Sequence, residues 1–553
     1  MNEFKKYIIS TMEKKGYNID SRLIETPPDP RLGDFAFPCF SLSHEKGKSP
    51  AEIAKQLVEE LELESPIESI ENKGPYLNFF INPKCIAKKV IGEENLEEEK
   101  EQQKIMIEFS SPNTNKPLHL GHLRNIFLGD TLSRIFEKKG NKIIKACLVN
   151  DRGVHICKSM LMYMKNANGQ MPDKKPDHFV GDFYVMFDKE VKDNPKLEQE
   201  AQELLRKWEY GDEEANSIWR MMTNWANEGF QQTYDKLNIE FDKYYYESNI
   251  YKNGKDLVKE GLREGLFYED EGAISVDLGK LGKKVLLRKD DTSVYITQDL
   301  YLAKLKFDEY SLDKSIYVVA SEQNLHFQQL FKILEIMDFH FADKCFHLSY
   351  GMVSLPEGKM KSREGTVVDA DDLIDEVHSL AREEVKKRHE LAEGEIRRRS
   401  EIIGNGALRF HLLRTDPSKD MTYDPKKSIS FEGETGPYIQ YVYARISSIL
   451  KKNDDEISSD CNYDVLNDNE VKIIKKLSSF LDTINEAKTT MKPNYICRYL
   501  LDLCQLFNEY YHTTNILKAE KEKKNLRLLL LERIRQTIKE GLELLHIETL
   551  EEM

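Results

Sequence analysis

Lys104-Ile105-Met106-Ile107-Glu108-Phe109-Ser110-Ser111-Pro112-Asn113-Thr114-Asn115-Lys116-Pro117-Leu118-His119-Leu120-Gly121-His122 is an apolar run, a polar loop and the start of a helix. Lys104 to Phe109 reads as a strand. From about Leu120 to Lys139, Leu128, Leu132 and Ile135 recur at helical spacing, and Gly140 ends the helix. Lys142 to Leu148 is the next strand. Strand, helix and strand in this order imply a parallel sheet. The alternation returns with a strand over Ser315 to Ala320 and a helix over Leu325 to Met337.

The loop-to-helix junction carries the strongest chemical signal. Two histidines three residues apart, His119 and His122, stand at the N-terminus of a helix that leaves a parallel strand. Free N–H groups and the helix dipole attract phosphate there. The sheet's carboxyl edge is where such folds bind ligands. The imidazoles could donate hydrogen bonds to a triphosphate, with Lys116 beside them, and Gly121 would let a flat base lie on the backbone. Solvent-facing histidines or a metal pair are the plainer readings. A second stretch, Gly358-Lys359-Met360-Lys361-Ser362-Arg363-Glu364-Gly365-Thr366-Val367-Val368, sets a basic cluster between glycines at the end of the second half of the sheet. Such a loop can close positive charge over a triphosphate.

Around these motifs the 553 residues suggest three or four domains at roughly 150 residues each. Residues 1 to about 95 form a small α/β unit. In it Ser49-Pro50-Ala51-Glu52 is a capping box opening a helix, and Gly74 to Ile81 reads as a strand. A long insertion holds helical stretches at Glu200 to Arg206 and Ser217 to Leu237. From about Ile402 the pattern is helical, with long helices over Tyr499 to Tyr511 and Leu526 to Leu545. No apolar run approaches the ~18 residues of a membrane span, and the first residues lack a signal-peptide block, so a cytoplasmic location is expected. Eight cysteines without a Cys-x-x-Cys pair read as free thiols, and no zinc or other metal site is expected. A formal charge of −15 argues against indiscriminate DNA coating but not against RNA bound on a local basic face.

His119-Leu120-Gly121-His122 resembles the "HIGH" signature of class I aminoacyl-tRNA synthetases, and Lys359-Met360-Lys361-Ser362-Arg363 resembles their "KMSKS" loop. Other stretches are similar to the arginyl-tRNA synthetase family: Glu108 to Asn113, Tyr295 to Asp299, Ser321 to Phe327, Thr435 to Tyr441, Leu32 to Phe35 and Pro176 to Gly181. The resemblance implies an ATP-dependent ligase that forms arginyl adenylate and passes arginine to the terminal adenosine of tRNA(Arg), with activation awaiting bound tRNA. It implies catalytic roles for Lys116, His119, His122 and Lys359. ATP contacts would come from Pro112, Asn113, Gly121, His119, His122, His326, Met360 and Lys361. An arginine pocket would be formed by Glu108, Asn113, Tyr295, Asp299 and Gln323. Its partners would be tRNA(Arg), L-arginine and ATP with Mg2+, with no membrane, and a monomer is expected. Taken singly, Asp299 could be a helix N-cap and Tyr295 core. Phe507, Tyr510 and Tyr511 could stack on anticodon bases or fill the bundle core. The basic loop departs from the family pattern by lacking lysine at its fourth position, a charge that Lys116 would supply, and Glu434 replaces a usual asparagine. A lysine-specific relative, a small nucleotidylyltransferase and a non-catalytic tRNA binder are the rival readings.

The expected fold class is therefore α/β. A parallel-sheet, Rossmann-like nucleotide-binding catalytic core over 103–155 and 285–370 is interrupted by an insertion over 156–284. A small N-terminal α/β domain that contacts tRNA covers 1–95. A helical connector spans 371–404, and an all-α anticodon-binding bundle spans 405–553.

Overall fold

The computed structural model describes residues 2–27, 29–92, 102–356, 368–388, 390–459 and 461–553. The basic-loop residues Lys359, Met360 and Lys361 lie outside the described residues. Five strands, β1 (Lys104–Glu108), β2 (Lys142–Val149), β3 (Lys243–Tyr246), β4 (Lys314–Ala320) and β5 (Cys345–Tyr350), make one parallel sheet in the order β5-β4-β1-β2-β3. The chain builds outward from β1 to β3, then crosses back to β4 and β5. The carboxyl ends of β1 and β4 therefore flank the crevice where doubly wound sheets bind ligands. β1 is central, and Ile105, Met106 and Ile107 are inaccessible to solvent, as a strand covered on both faces requires.

Helix α1 (Leu120–Lys138) follows β1 and is enclosed on all sides, with fourteen of its nineteen residues buried. Two of these are charged and need partners. Arg124 donates to the carbonyls of Gly351 (2.5 Å) and Lys419 (2.9 Å), with Met352, Asp416 and Pro417 at 3.3–3.4 Å. Asp130 pairs with Arg409 at 3.1 Å and accepts from His546 Nδ1 at 2.6 Å. The catalytic-core helix is thus tied to the helix Glu393–Leu413 and to the chain's last turn.

The insertion expected over 156–284 is not wholly separate from the sheet. Its four helices, from Val154–Asn166 to Glu213–Lys236, form their own aromatic-rich core, but Lys243–Tyr246 returns as edge strand β3. A four-residue Lys-Tyr-Tyr-Tyr strand pairs on one side only, and it carries too little apolar run to announce itself. A three-stranded antiparallel sheet spans Tyr268–Leu287. The boundary expected at 404/405 falls inside the continuous helix Glu393–Leu413. In the N-terminal unit the Ser49/Glu52 capping box forms, and Phe35–Pro38, Tyr76–Ile81 and Ile67–Lys73 make an antiparallel sheet in that order. Asp34 accepts from the Ile81 N–H at 2.8 Å and pairs with Lys475 at 2.6 Å, joining this unit to the C-terminal helices. Among the described residues no helix is long and apolar enough to cross a membrane.

Asp130→Ala would leave the buried Arg409 without its counter-charge and His546 without its acceptor. We expect a loss of about 3–5 kcal/mol, read as a lower denaturation midpoint. An unchanged midpoint would mean that the cluster adds nothing to stability.

Candidate active site

His119 is the N-cap of α1, and the two signature histidines cap the helix reciprocally. His119 Nδ1 accepts the Gly121 N–H at 3.2 Å, and His122 Nδ1 accepts the His119 N–H at 3.1 Å. Their rings lie 3.9 Å apart between centroids. An imidazole nitrogen that accepts cannot carry the proton, so in each neutral ring the proton sits on Nε2. Charging either ring is opposed. Burial, with Lys116 adding to it, pushes His119 down to about 3. Burial, His119 and Lys116 put His122 well below its ordinary value. Two neutral Nε2–H donors therefore stand at the start of α1. Gly121 has a structural reason beyond clearance for a base: a Cβ there would stand 3.0 Å from the His119 ring.

The strand exit before α1 is shaped for the same purpose. Ser110 and Ser111 both take positive φ, 71° and 47°. The Ser110 N–H donates to Asn125 on α1 at 2.5 Å, and Asn125 donates to the Val318 carbonyl of β4 at 2.6 Å. This turns the chain across the crevice and brings Asn113 beside Asn150 at the end of β2, while Pro112 is buried. Lys116 is half-buried, and burial lowers its pKa.

Acidic groups collect on the other side of the crevice. Glu108 ends β1, buried, with Oε2 2.6 Å from the inaccessible Lys306 ammonium, which also lies 4.1 Å from the Tyr317 ring. Lys306 belongs to helix α2 (Tyr295–Tyr310), which carries Tyr295 and Asp299 at its opposite end. Asp299 is not an N-cap, because Val294 holds that position, and Tyr295 is not core, being 66% exposed. His326 donates Nε2–H to Asp299 at 2.6 Å, which joins a residue expected at ATP to one expected at arginine. Gln323 ends the short turn after β4 and is exposed.

Sequence reasoning missed Glu247, the first residue past β3. It is buried, and its pKa is pushed up to about 8 by burial and then by the Asp299 and Asp151 carboxylates. Its charge is felt at the Tyr295 hydroxyl. Asp151 itself accepts from the Ser248 backbone N–H and hydroxyl at 2.9 and 2.6 Å. The available signal was positional: both acids follow the carboxyl ends of strands, and β3 was not recognised.

In the C-terminal bundle Phe507 and Tyr510 are completely buried. Tyr510 donates to Glu470 at 3.0 Å, so neither ring can stack on a base; both belong to the core. Tyr511 is exposed. Its ring centroid lies 5.4 Å from the guanidinium of Arg445, which lines a cavity with Arg388, Phe431, Tyr438, Tyr441 and Asn508 and donates to Asn508 and to the Tyr441 hydroxyl at 3.0 and 2.9 Å. Thr435 caps the helix Gly436–Lys451, so Tyr438 and Tyr441 share that helix's cavity face. Glu434 lies outside the helix, 3.5 Å from Arg498.

The catalytic-domain model of class I tRNA synthetases (R) matches residues 86–424. The arginyl tRNA synthetase N-terminal domain matches 2–81, and the DALR anticodon binding domain matches 439–553. The arginine–tRNA ligase of Parabacteroides distasonis is 46% identical over 480 residues, covering 81% of this chain and 80% of that one. The chain belongs to the arginine–tRNA ligases. That of Treponema pallidum is 41% identical over 96% of this chain and 95% of its own. The structure of Thermus thermophilus arginyl-tRNA synthetase superimposes with a TM-score of 0.86 at 25% identity, covering both chains completely. The enzyme consumes ATP to activate arginine and attaches it to tRNA(Arg) in two steps, and its C-terminal region is of the anticodon-binding kind.

We expect arginine binding to be proton-linked through Glu247. With a pKa of about 8 its carboxyl is mostly neutral at pH 7, and a guanidinium nearby favours the carboxylate. Arginine should therefore bind with release of a proton at pH 7 and tighten, by at most about tenfold per unit, as pH rises towards 8. Calorimetry in buffers of different ionisation enthalpy counts that proton. Release that persists in Glu247→Gln would assign it elsewhere.

Proposed function

We propose that Lys116, His119 and His122, with Lys359 of the basic loop, bind the triphosphate and stabilise the transition state of adenylation. The observation that carries this reading is the reciprocal histidine cap. Both Nδ1 atoms are occupied by backbone donors, so both rings present Nε2–H while remaining neutral. A neutral donor strengthens its hydrogen bonds as negative charge grows on the α-phosphate and the departing pyrophosphate, without surrendering its proton. The arginine carboxylate oxygen attacks the α-phosphorus, and the bond to the bridging oxygen of the β-phosphate breaks. A ribose hydroxyl of the terminal adenosine, the 2′ one in class I chemistry, then attacks the adenylate carbonyl and releases AMP. Pro112, Asn113, Gly121, His326, Met360 and Lys361 complete the ATP site.

The guanidinium offers five donors in a fixed fork and calls for acceptors around it. Asp299, Glu247, Tyr295 and Gln323 supply them from the carboxyl ends of β3 and β4 and from α2. Asn113 and Glu108 close the pocket on the β1 side, Glu108 with its charge already balanced by Lys306. Mg2+ enters with ATP as part of the substrate. Among the described residues one group of acids and histidine could share an ion, Asp177, His178 and Asp371, and the Lys175 ammonium lies within 2.9 Å of both acids. That cluster does not fit a metal, and the nitrogen donors around the phosphates do not suit Mg2+. Anticodon bases enter the cavity lined by Tyr438, Tyr441 and Arg445, next to the exposed Tyr511, where aromatic rings and an ordered guanidinium can stack them. In this reading the enzyme works as a monomer in the cytoplasm.

ATP–pyrophosphate exchange with arginine and cognate tRNA tests the phosphate site. His119→Ala or His122→Ala should lower turnover on the order of 10²–10³-fold. Arginine affinity should be unchanged. A double variant that exchanges at nearly the parent rate would refute the assignment.

A further inference from the structure

The insertion reaches the signature histidines through one short relay. Val368–Ala370, the segment that returns from the basic loop, lies against the histidine motif. The Leu120 N–H donates to the Val368 carbonyl at 3.1 Å, the Ala370 N–H donates to the Leu118 carbonyl at 3.0 Å, and Asp369 is bridged to His119. Asp369 also caps helix α3 (Ala370–Arg388): its Oδ1 accepts from the N–H groups of Asp371 and Asp372 at 2.8 and 3.2 Å. Its Oδ2 is left for the insertion, where His178 Nε2 stands 3.2 Å away and 3.6 Å from Asp371.

Lys175 fixes the same junction from below. Its ammonium is 2.8 Å from Asp371, 2.9 Å from Asp177 and 2.8 Å from Thr233 Oγ1, and Lys236 takes the other Asp371 oxygen at 2.9 Å. Asp177 is inaccessible and Asp371 nearly so. Gly181, one turn further along the helix Pro176–Glu190, lets that helix touch the motif: a Cβ there would stand 2.8 Å from Pro117. Lys175, Asp177, His178 and Gly181 thus turn one contiguous stretch of the insertion towards the phosphate-binding motif. None of them contacts the acid-rich half of the crevice in the interactions described above. Buried ion pairs stabilise little in net terms, but they are directional, and a mismatched arrangement leaves a charge unpaired.

We propose that Lys175 and His178 are positioning residues for adenylation, acting through Asp371 and Asp369 on the backbone that orients His119. The inference rests on His119 being a phosphate ligand. Its physical basis is that the His119 ring is held by a single N-cap hydrogen bond at 3.2 Å, so a shift of the Asp369 bridge moves the donor itself. A displacement of about 1 Å at a reacting group can cost on the order of 10²-fold in rate. The pKa of His178 is raised, first by Asp371, and its Nε2 lies within ion-pairing distance of both carboxylates.

The experiment is a double-mutant cycle read by ATP–pyrophosphate exchange with arginine and tRNA. His178→Gln should lower the exchange rate on the order of 10–100-fold, with the KM for arginine unchanged. In a His119→Ala background it should cause no further loss, because the donor it positions is gone. Asp369→Asn keeps the Oδ1 cap but removes the charge facing His178, and it should show the same lack of additivity. It decides the matter should His178→Gln fold poorly. Equal fold-losses in both backgrounds, or an exchange rate matching the parent, would overturn the relay. A His119→Ala variant that exchanges normally would instead remove the reading of His119 on which the relay rests.

Discussion

Arg124 is among the largest fully buried side chains of the described residues, and it sits two residues past the second signature histidine. No carboxylate answers it directly. Carbonyl oxygens of Gly351, Met352, Asp416, Pro417 and Lys419 do so, and burial brings its pKa down only to about 10, so it stays charged. A guanidinium dissolved in backbone carbonyls tolerates little rearrangement, because every lost contact leaves a buried N–H unpaired. The exit of β5, the loop after the helix Glu393–Leu413 and the start of α1 are therefore held together by the two terminal nitrogens of Arg124, while its Nε is left without a partner. Asp130, six residues along, does the same for Arg409 and His546. Between them these two charges connect α1 to the exit of β5, to the helix Glu393–Leu413 with the loop after it, and to His546.

The two halves of the crevice use burial in opposite senses. Around α1 it disfavours charge on the bases: the histidines are neutral and Lys116 has its pKa lowered. At the ends of β2 and β3 it disfavours charge on acids, with Glu247 pushed up to about 8 and Asp151 also raised. In the proposed site, neutral donors would meet the polyanionic substrate and weakened acids the cationic one. In each case the substrate's own charge completes the electrostatics of the site, so an empty crevice need not hold strong uncompensated charge.

Much of this was legible in the sequence, for physical reasons that can be named. The β1–α1–β2 unit announces itself because β1 is apolar throughout and α1 keeps helical spacing. The histidine pair follows directly. Asp299, Tyr295, Gln323 and His326 were placed by motif, and the structure brings Asp299 into contact with His326. What escaped detection had weak local signals. β3 and β5 are edge strands of tyrosine, histidine and serine, half exposed, and without β3 the significance of Glu247 could not be seen. Phe507 and Tyr510 were ambiguous because a helix buried on one face and exposed on the other carries aromatics on both. Tyr510 points inward to Glu470 and Tyr511 outward, one residue apart. The pairing of Glu108 with Lys306 spans 198 residues and leaves no local trace.

The central claim is that His119 and His122 are neutral Nε2–H donors fixed by each other's backbone. Nitrogen NMR of the imidazole rings reports tautomer and charge directly. Both rings should show protonated Nε2 and bare Nδ1 and should remain so from pH 8 down to pH 5, since His119 titrates only near 3 and His122 also lies well below its ordinary value. A ring that titrates near its ordinary value of about 6.5, or that carries its proton on Nδ1, would contradict the account.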